Sequence, residues 1–240
     1  MKSVKEWKRL EFVDLVRGVA VILMVVYHVF FDLDYFNKIS LDSPFWYFFP
    51  RFIGGMFIFV SGVSLSLARK KYGSRIYAVS LKRSVKYLLL GLLITIATIP
   101  TGCYVRFGIL HFFGVAVVLG SFFSKFRLFS ILSGILFVMA EFAVRNIRFD
   151  QEYLVWLGVM PDYFCTLDYY PILPWLGIMF FGIAFGNTSN LNFRIPDFLK
   201  PVTKLGRKSL AIYLLQHPVI LFFMHLYYGD IFQQIVSMLG

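Results

Sequence analysis

Ten residues separate Arg17 from His28 in the first apolar stretch of the chain, and Asp14 and Asp32 flank them. At about 100° per residue, the path from Arg17 to His28 returns to within about 20° of one helix face. Asp14 and Asp32 each fall about 60° from Arg17 on the same reckoning, so four ionisable groups form one stripe on an otherwise apolar helix. Ionisable side chains at membrane depth face a cavity or one another rather than lipid. Helix neighbours three and four residues apart can touch, which pairs Asp14 with Arg17 and Asp32 with His28. An imidazole held by a carboxylate can act as a general base near neutral pH. The helical rise separates Arg17 from His28 by about 16 Å along the axis, too far for one catalytic pair. The plainer alternative for His28 is a packed histidine bonded to a neighbouring helix.

Other polar groups fall at similar depth. Arg51 lies early in the second apolar run, His111 opens the fourth, and His217 sits near the middle of the last. Pro218 follows His217, and its missing N–H loosens the local helix bonding. Each has a simpler reading as well: Arg51 can snorkel to headgroups, and Gln216 with His217 can bond between helices. His225 is expected at the interface. Gly54, Gly55 and Gly62, with Ser61, Ser64 and Ser66, read as a close-packing face. The four histidines show neither His-x3-His nor His-Glu spacing, so no metal is expected. No glycine-rich phosphate loop is present either.

These residues need apolar elements to position them, and the composition supplies those. Hydrophobic residues make up 59% of the chain, 29 residues are Phe and the mean hydropathy is +0.73, more apolar surface than one soluble core could bury. The expected fold is an all-α, polytopic integral membrane bundle of about seven helices, forming a single domain over residues 1–240. Its spans fall near Val13 to Phe31, Trp46 to Ala68, Tyr87 to Tyr104, Gly108 to Phe123, Leu128 to Val144, Pro171 to Asn187 and Ser209 to Tyr228. Ile231 to Leu239 is too short to span. The basic opening segment leads into a run that is too long for a signal peptide and lacks a small-residue cleavage site.

Charge orients the bundle. Lys2, Lys5, Lys8 and Arg9 precede the first span, seven basic residues from Arg69 to Lys86 follow the second, Lys125 and Arg127 follow the fourth, and five from Arg194 to Lys208 follow the sixth. With seven spans these segments share one side, which the positive-inside rule makes cytoplasmic, with the amino terminus there. The net charge of +11 is therefore a topology signal rather than a nucleic-acid footprint. The Arg69 to Lys86 segment also alternates basic and apolar residues, as in an amphipathic helix on the inner surface. Cys103 and Cys165 are too few for a zinc motif or a disulfide framework, yet both fall in outer loops where a single bridge could form.

The segment RLEFVDLVRGVAVILMVVYHVFFDLDYF resembles the opening of the prokaryotic proteins grouped with the catalytic domain of heparan-alpha-glucosaminide N-acetyltransferase. It also holds the Arg-x10-His spacing of the broader membrane acyltransferases that O-acetylate polysaccharides. Further blocks are GGMFIFVSGVSLSLA, FGILHFFGVAVVLG, LDYYPILPWLGIMFFGIAFG and LGRKSLAIYLLQHPVIL, so the resemblance covers nearly the whole chain. It implies acetyl transfer from cytoplasmic acetyl-CoA to a hydroxyl or amine of an envelope glycan or lipid at the outer face of the cell membrane. His28 then matches the family histidine and Arg17 the family arginine. One departure stands out: the animal lysosomal enzyme uses a histidine further along its first luminal loop, and Asp32 to Ser43 contains none.

On this reading His28 deprotonates the acceptor and Asp32 orients it. Arg17 and Asp14 line the donor channel, and Arg51, His111 or His217 meets the substrate or the developing oxyanion. Arg75, Lys82, Arg83 and Lys86 could hold the nucleotide phosphates, or could simply set topology. The rival readings are a proton- or anion-coupled transporter and a non-catalytic scaffold. No internal repeat of the kind common in transporters is visible between the two halves. The expected partners are membrane lipid, an acyl donor and a glycan or lipid acceptor, and a homo-oligomer is compatible with all of this.

Overall fold

The structure, a computed structural model, describes residues 10–148, 152–188 and 194–239. Lys2, Lys5, Lys8, Arg9 and Asp150 lie outside the described residues. Among the described residues the chain forms helices α1 (Glu11–Tyr35), α2 (Pro44–Tyr72), α3 (Ile76–Thr98), α4 (Ile109–Phe123), α5 (Arg127–Val144), α6 (Ile172–Thr188), α7 (Lys200–Arg207), α8 (Ser209–Tyr228) and α9 (Ile231–Leu239), and no strand. Each of the seven apolar runs falls on a helix, but the third is displaced: α3 begins eleven residues before the expected Tyr87 and ends at Thr98, so Gly102 to Tyr104 lie in a loop.

Four stretches are long and apolar enough to cross a membrane: Glu11–Tyr35, Pro44–Thr101, Arg127–Val144 and Ser209–Tyr228. The second would extend about 87 Å as one straight helix, nearly three times a hydrocarbon core, and a turn at Gly73–Arg75 divides it into α2 and α3. Helices α4 and α6 are apolar but shorter. No separate surface helix forms from Arg69 to Lys86, because α2 runs on through Tyr72 and α3 begins at Ile76. The basic residues instead occupy the last turn of α2, the Gly73–Arg75 turn and the first three turns of α3. Side chains such as Val19, Ile22, Val26 and Phe30 on α1 are exposed, as expected of a face turned to lipid. This is an integral membrane protein.

The core lies where α2, α4 and α6 meet, around Ile58, Phe112, Met179 and Phe180. α2 and α6 approach closely because Gly62 and Gly182 face each other. A Cβ on Gly62 would meet the Met179 carbonyl, and one on Gly182 the Phe59 carbonyl. The expected small-residue face of α2 is thus divided. Gly62 and Ser66 pack against α6, whereas Ser61 and Ser64 open onto a cavity.

Helix α7 has no counterpart among the expected spans. It lies against α1, where a Cβ on Gly206 would strike the Asp14 carbonyl and one on Gly18 the Val202 carbonyl. Gly206→Ala is expected to cost about 1–3 kcal/mol of stability through this overpacking. Thermal denaturation of the detergent-solubilised protein measures it, with Gly55→Ala, inside α2 and in only ordinary contact with Trp175 at its Cβ, as the comparison for the backbone effect of the substitution in a helix.

A disulfide joins Cys103, ahead of α4, to Cys165, ahead of α6. Around it the Leu167 N–H donates to the Cys103 carbonyl at 3.0 Å and the Tyr170 N–H to the Phe107 carbonyl at 2.9 Å. Two loops are thereby fastened together over the ends of α4 and α6.

Candidate functional site

Helix α1 presents Asp14, Arg17, His28 and Asp32 to one cavity of about 1870 Å³. The cavity follows α1 from Leu10 to Phe36, with α2, α8 and the loop ahead of α6 forming other walls. The expected stripe therefore faces open space rather than lipid.

At the Leu10 end the walls are basic, with Lys70, Lys71, Arg83 and Arg207 alongside Arg17. Buried Asp14 lies between two of these cations: Oδ1 is 3.8 Å from Arg17 Nη1, and Oδ2 accepts from Arg207 Nε at 3.2 Å. Arg17 Nη2 donates to Ser64 Oγ at 2.8 Å, so α2 helps to fix the guanidinium. A buried carboxylate is tolerated only when paired, and Asp14 is paired both within α1 and across to α7.

At the Phe36 end the expected contact between Asp32 and His28 does not form. The His28 ring leans toward the N-terminus of its helix, as helical side chains do, and its Nδ1 donates to the Met24 carbonyl at 2.9 Å. Buried Asp32 instead accepts from His217 Nδ1 at 3.1 Å, a bond between α1 and α8. The two imidazoles meet edge to face, with centroids 4.5 Å apart and planes inclined by 79°. These partners assign the proton of each ring to Nδ1, which leaves both Nε2 atoms with lone pairs. Two potential bases thus stand side by side, and the carboxylate orients His217.

The remaining candidates separate clearly. Arg51 lines the same end of the cavity, with its guanidinium 3.5 Å from the Tyr47 ring centroid and Nη1 donating to the Tyr47 carbonyl at 2.5 Å. His111 does not line the cavity. Ile109 and Phe113 do, and a two-residue step rotates about 200° around α4, so His111 points instead at Gly91 of α3. Its Nδ1 is buried with no hydrogen-bond partner among the described residues. Of the four α3-side cations, only Arg83 reaches the cavity, sharing a face with Tyr87 one turn on; Arg75, Lys82 and Lys86 are exposed elsewhere. His225 stacks on Phe232, with centroids 4.1 Å apart, outside the cavity.

Two further residues belong to the site. Arg207 reads in the sequence as one more loop cation, and only the docking of α7 on α1 turns it toward Asp14. Asp168 reads as an outer-loop acid, yet it lines the cavity and its Oδ2 accepts from the Ile109 N–H at 2.8 Å. That bond places a carboxylate at the positive end of α4. Burial pushes the Asp168 carboxyl up to about 6, opposed by the Ile109 amide and by the proximity of His217. An acid immediately before an apolar block containing Pro171 and Pro174 was the available signal. Among the described residues no cluster of three or more His, Cys, Asp or Glu side chains could hold a metal ion.

A family profile described as heparan-alpha-glucosaminide N-acetyltransferase, catalytic, matches residues 9–218. The chain belongs to this family. No curated protein and no solved structure matches it. The match to the heparan-alpha-glucosaminide N-acetyltransferase family runs from the start of α1 to the His217-Pro218 step of α8. It therefore includes Asp14, Arg17, His28, Asp32, Asp168, Arg207 and His217, and leaves α9 outside. Membership makes the chain a membrane acyltransferase by family.

Proposed function

We propose that this protein is a multi-pass acyltransferase of the cell membrane. It takes an acetyl group from cytoplasmic acetyl-CoA and delivers it to a hydroxyl or amine of an envelope glycan or lipid at the outer face. One observation carries the reading: a single cavity connects a basic mouth with a pair of imidazoles and a carboxylate. The two ends suit different parts of the donor. Lys70, Lys71, Arg83 and Arg207 offer charge-assisted contacts to nucleotide phosphates, while Arg17 flanks the path of the thin pantetheine arm. The distance of about 16 Å from Arg17 to His28 is of the order of that arm.

At the far end the acceptor O–H or N–H gives its proton to His217 Nε2 as its oxygen or nitrogen attacks the thioester carbonyl carbon. The C–S bond then breaks, and the departing thiolate of CoA recovers the proton from the imidazolium. Asp32 positions the ring and stabilises its charged form, and His28 Nε2 offers a second acceptor beside it. Arg51 stands at this end to offset negative charge on the carbonyl oxygen. The disulfide supports the orientation. Such bonds persist on the oxidising side of a membrane, which agrees with external Cys103 and Cys165 loops and a cytoplasmic basic mouth.

Membranes incubated with acetyl-CoA radiolabelled in the acetyl group, then fractionated into glycan, lipid and protein, test this reading. Label is expected in the glycan or lipid fraction, and only when the chain is expressed. No label above that of membranes lacking the chain would count against it.

A further inference from the structure

A second, smaller hollow of about 470 Å³ opens where the end of α2, the turn between α4 and α5 and the end of α6 converge. Its lining is Arg69, Lys70, Ser124, Lys125, Arg127 and Asn187, four cations and no carboxylate. The walls are tied together. Lys70 Nζ donates to the Gly186 carbonyl at 2.9 Å, and Asn187 Nδ2 donates to the Ser124 carbonyl at 3.1 Å. Arg69 is held differently, with its guanidinium 5.3 Å from the centroid of the Tyr77 ring. Its Nη1 is buried and has no hydrogen-bond partner among the described residues. A buried guanidinium nitrogen calls for an acceptor, and an anion in the hollow would provide one.

The residues next to the hollow's lining in sequence bear on the kind of anion. Phe122, Phe126, Leu128 and Phe129, on either side of Lys125 and Arg127 in sequence, are each more than half exposed. A free anion in water has no use for such neighbours, whereas a phospholipid has two acyl chains to lay on them. Clustered cations at a membrane surface attract anionic lipids, and apolar surface next to them matches the rest of the molecule. We propose that Arg69, Lys125 and Arg127 bind the headgroup phosphate of an anionic phospholipid, at a site distinct from the large cavity. Lys70 lines both hollows, so the lipid would sit against the basic mouth of that cavity.

Native mass spectrometry of the purified full chain in detergent tests the site. The additions are phosphatidylglycerol, phosphatidylcholine or inorganic phosphate, and the variants are Arg69→Gln and the double Lys125→Gln, Arg127→Gln. Retention of phosphatidylglycerol by the unaltered protein is expected, with at least fivefold weaker retention by both variants and none of phosphatidylcholine. Equal retention by the variants would overturn the proposal, as would equal retention of phosphatidylcholine. Displacement of phosphatidylglycerol by an equal concentration of inorganic phosphate would also overturn it, because the site would then serve a soluble anion. Lys125 and Arg127 are exposed, so the double variant stands as the test even if Arg69→Gln impairs folding.

Discussion

Alanine at His217 lowers acetyl transfer by about 10²–10⁴-fold, the contribution of a positioned general base. The expectation rests on the bond from His217 Nδ1 to Asp32, which leaves Nε2 as the free lone pair facing the cavity. Asp32→Asn preserves an acceptor for that bond but removes the negative charge that stabilises the imidazolium. It is therefore expected to lower kcat by less than the loss of His217 does, with KM unchanged. His28→Ala tests the neighbouring ring, whose Nδ1 is spent on its own helix at Met24. Initial rates with saturating acetyl-CoA decide the assignment. If His217→Ala retains its rate while His28→Ala loses it, the base is His28, and His217 only anchors α8 to α1. His225→Ala is the control, since that ring packs on Phe232 away from the cavity.

The second large effect concerns the donor. If acetyl-CoA is the donor, replacing Lys71 and Arg83 together by Gln is expected to raise its KM about tenfold or more, since hydrogen bonds to charged groups are worth about 1.5–3 kcal/mol each. Both side chains lie at the basic mouth, remote from the imidazoles, so kcat is expected to hold. Raising the ionic strength should mimic the substitution in the unaltered protein and have a smaller effect on the variant, whose mouth keeps only Lys70, Arg207 and Arg17. Lys86→Gln provides the contrast: its side chain is near Arg83 in sequence but outside the cavity, and KM should not move. Steady-state kinetics at two salt concentrations separates these outcomes, and an unchanged KM in the double variant would remove the mouth from donor binding.

The apolar runs and the depth of each ionisable residue were legible in the sequence because both depend on local spacing. The stripe from Asp14 to Asp32 follows from helical periodicity alone, and so does the pair between Asp14 and Arg17. Partner choice across helices was not legible. Asp32 has a histidine four residues away on its own helix, yet it bonds the one on α8, because a ring at position 28 leans away from it toward Met24. His111 has the right depth and the wrong face, a rotation that depth cannot reveal. The eight residues of α7 are too few to show a period, and their role depends on two glycines that let the backbone touch α1. Asp168 became visible only when its loop was folded back over α4.

The bond between Cys103 and Cys165 also counts membrane crossings. Two residues joined covalently lie on the same side of the bilayer, so the chain between them crosses an even number of times. That stretch contains α4 and α5. If α5, with its 18 residues, traverses the bilayer, then α4 must traverse it as well, although its 15 residues measure only about 22 Å against a hydrocarbon layer of about 30 Å. So short a crossing is tolerable because much of α4 meets protein rather than lipid: Phe112, Gly114, Ala116, Val117 and Gly120 are all buried. The shortfall of about 8 Å is left to the neighbouring helices that shield the ends of α4 and to local thinning of the bilayer around it.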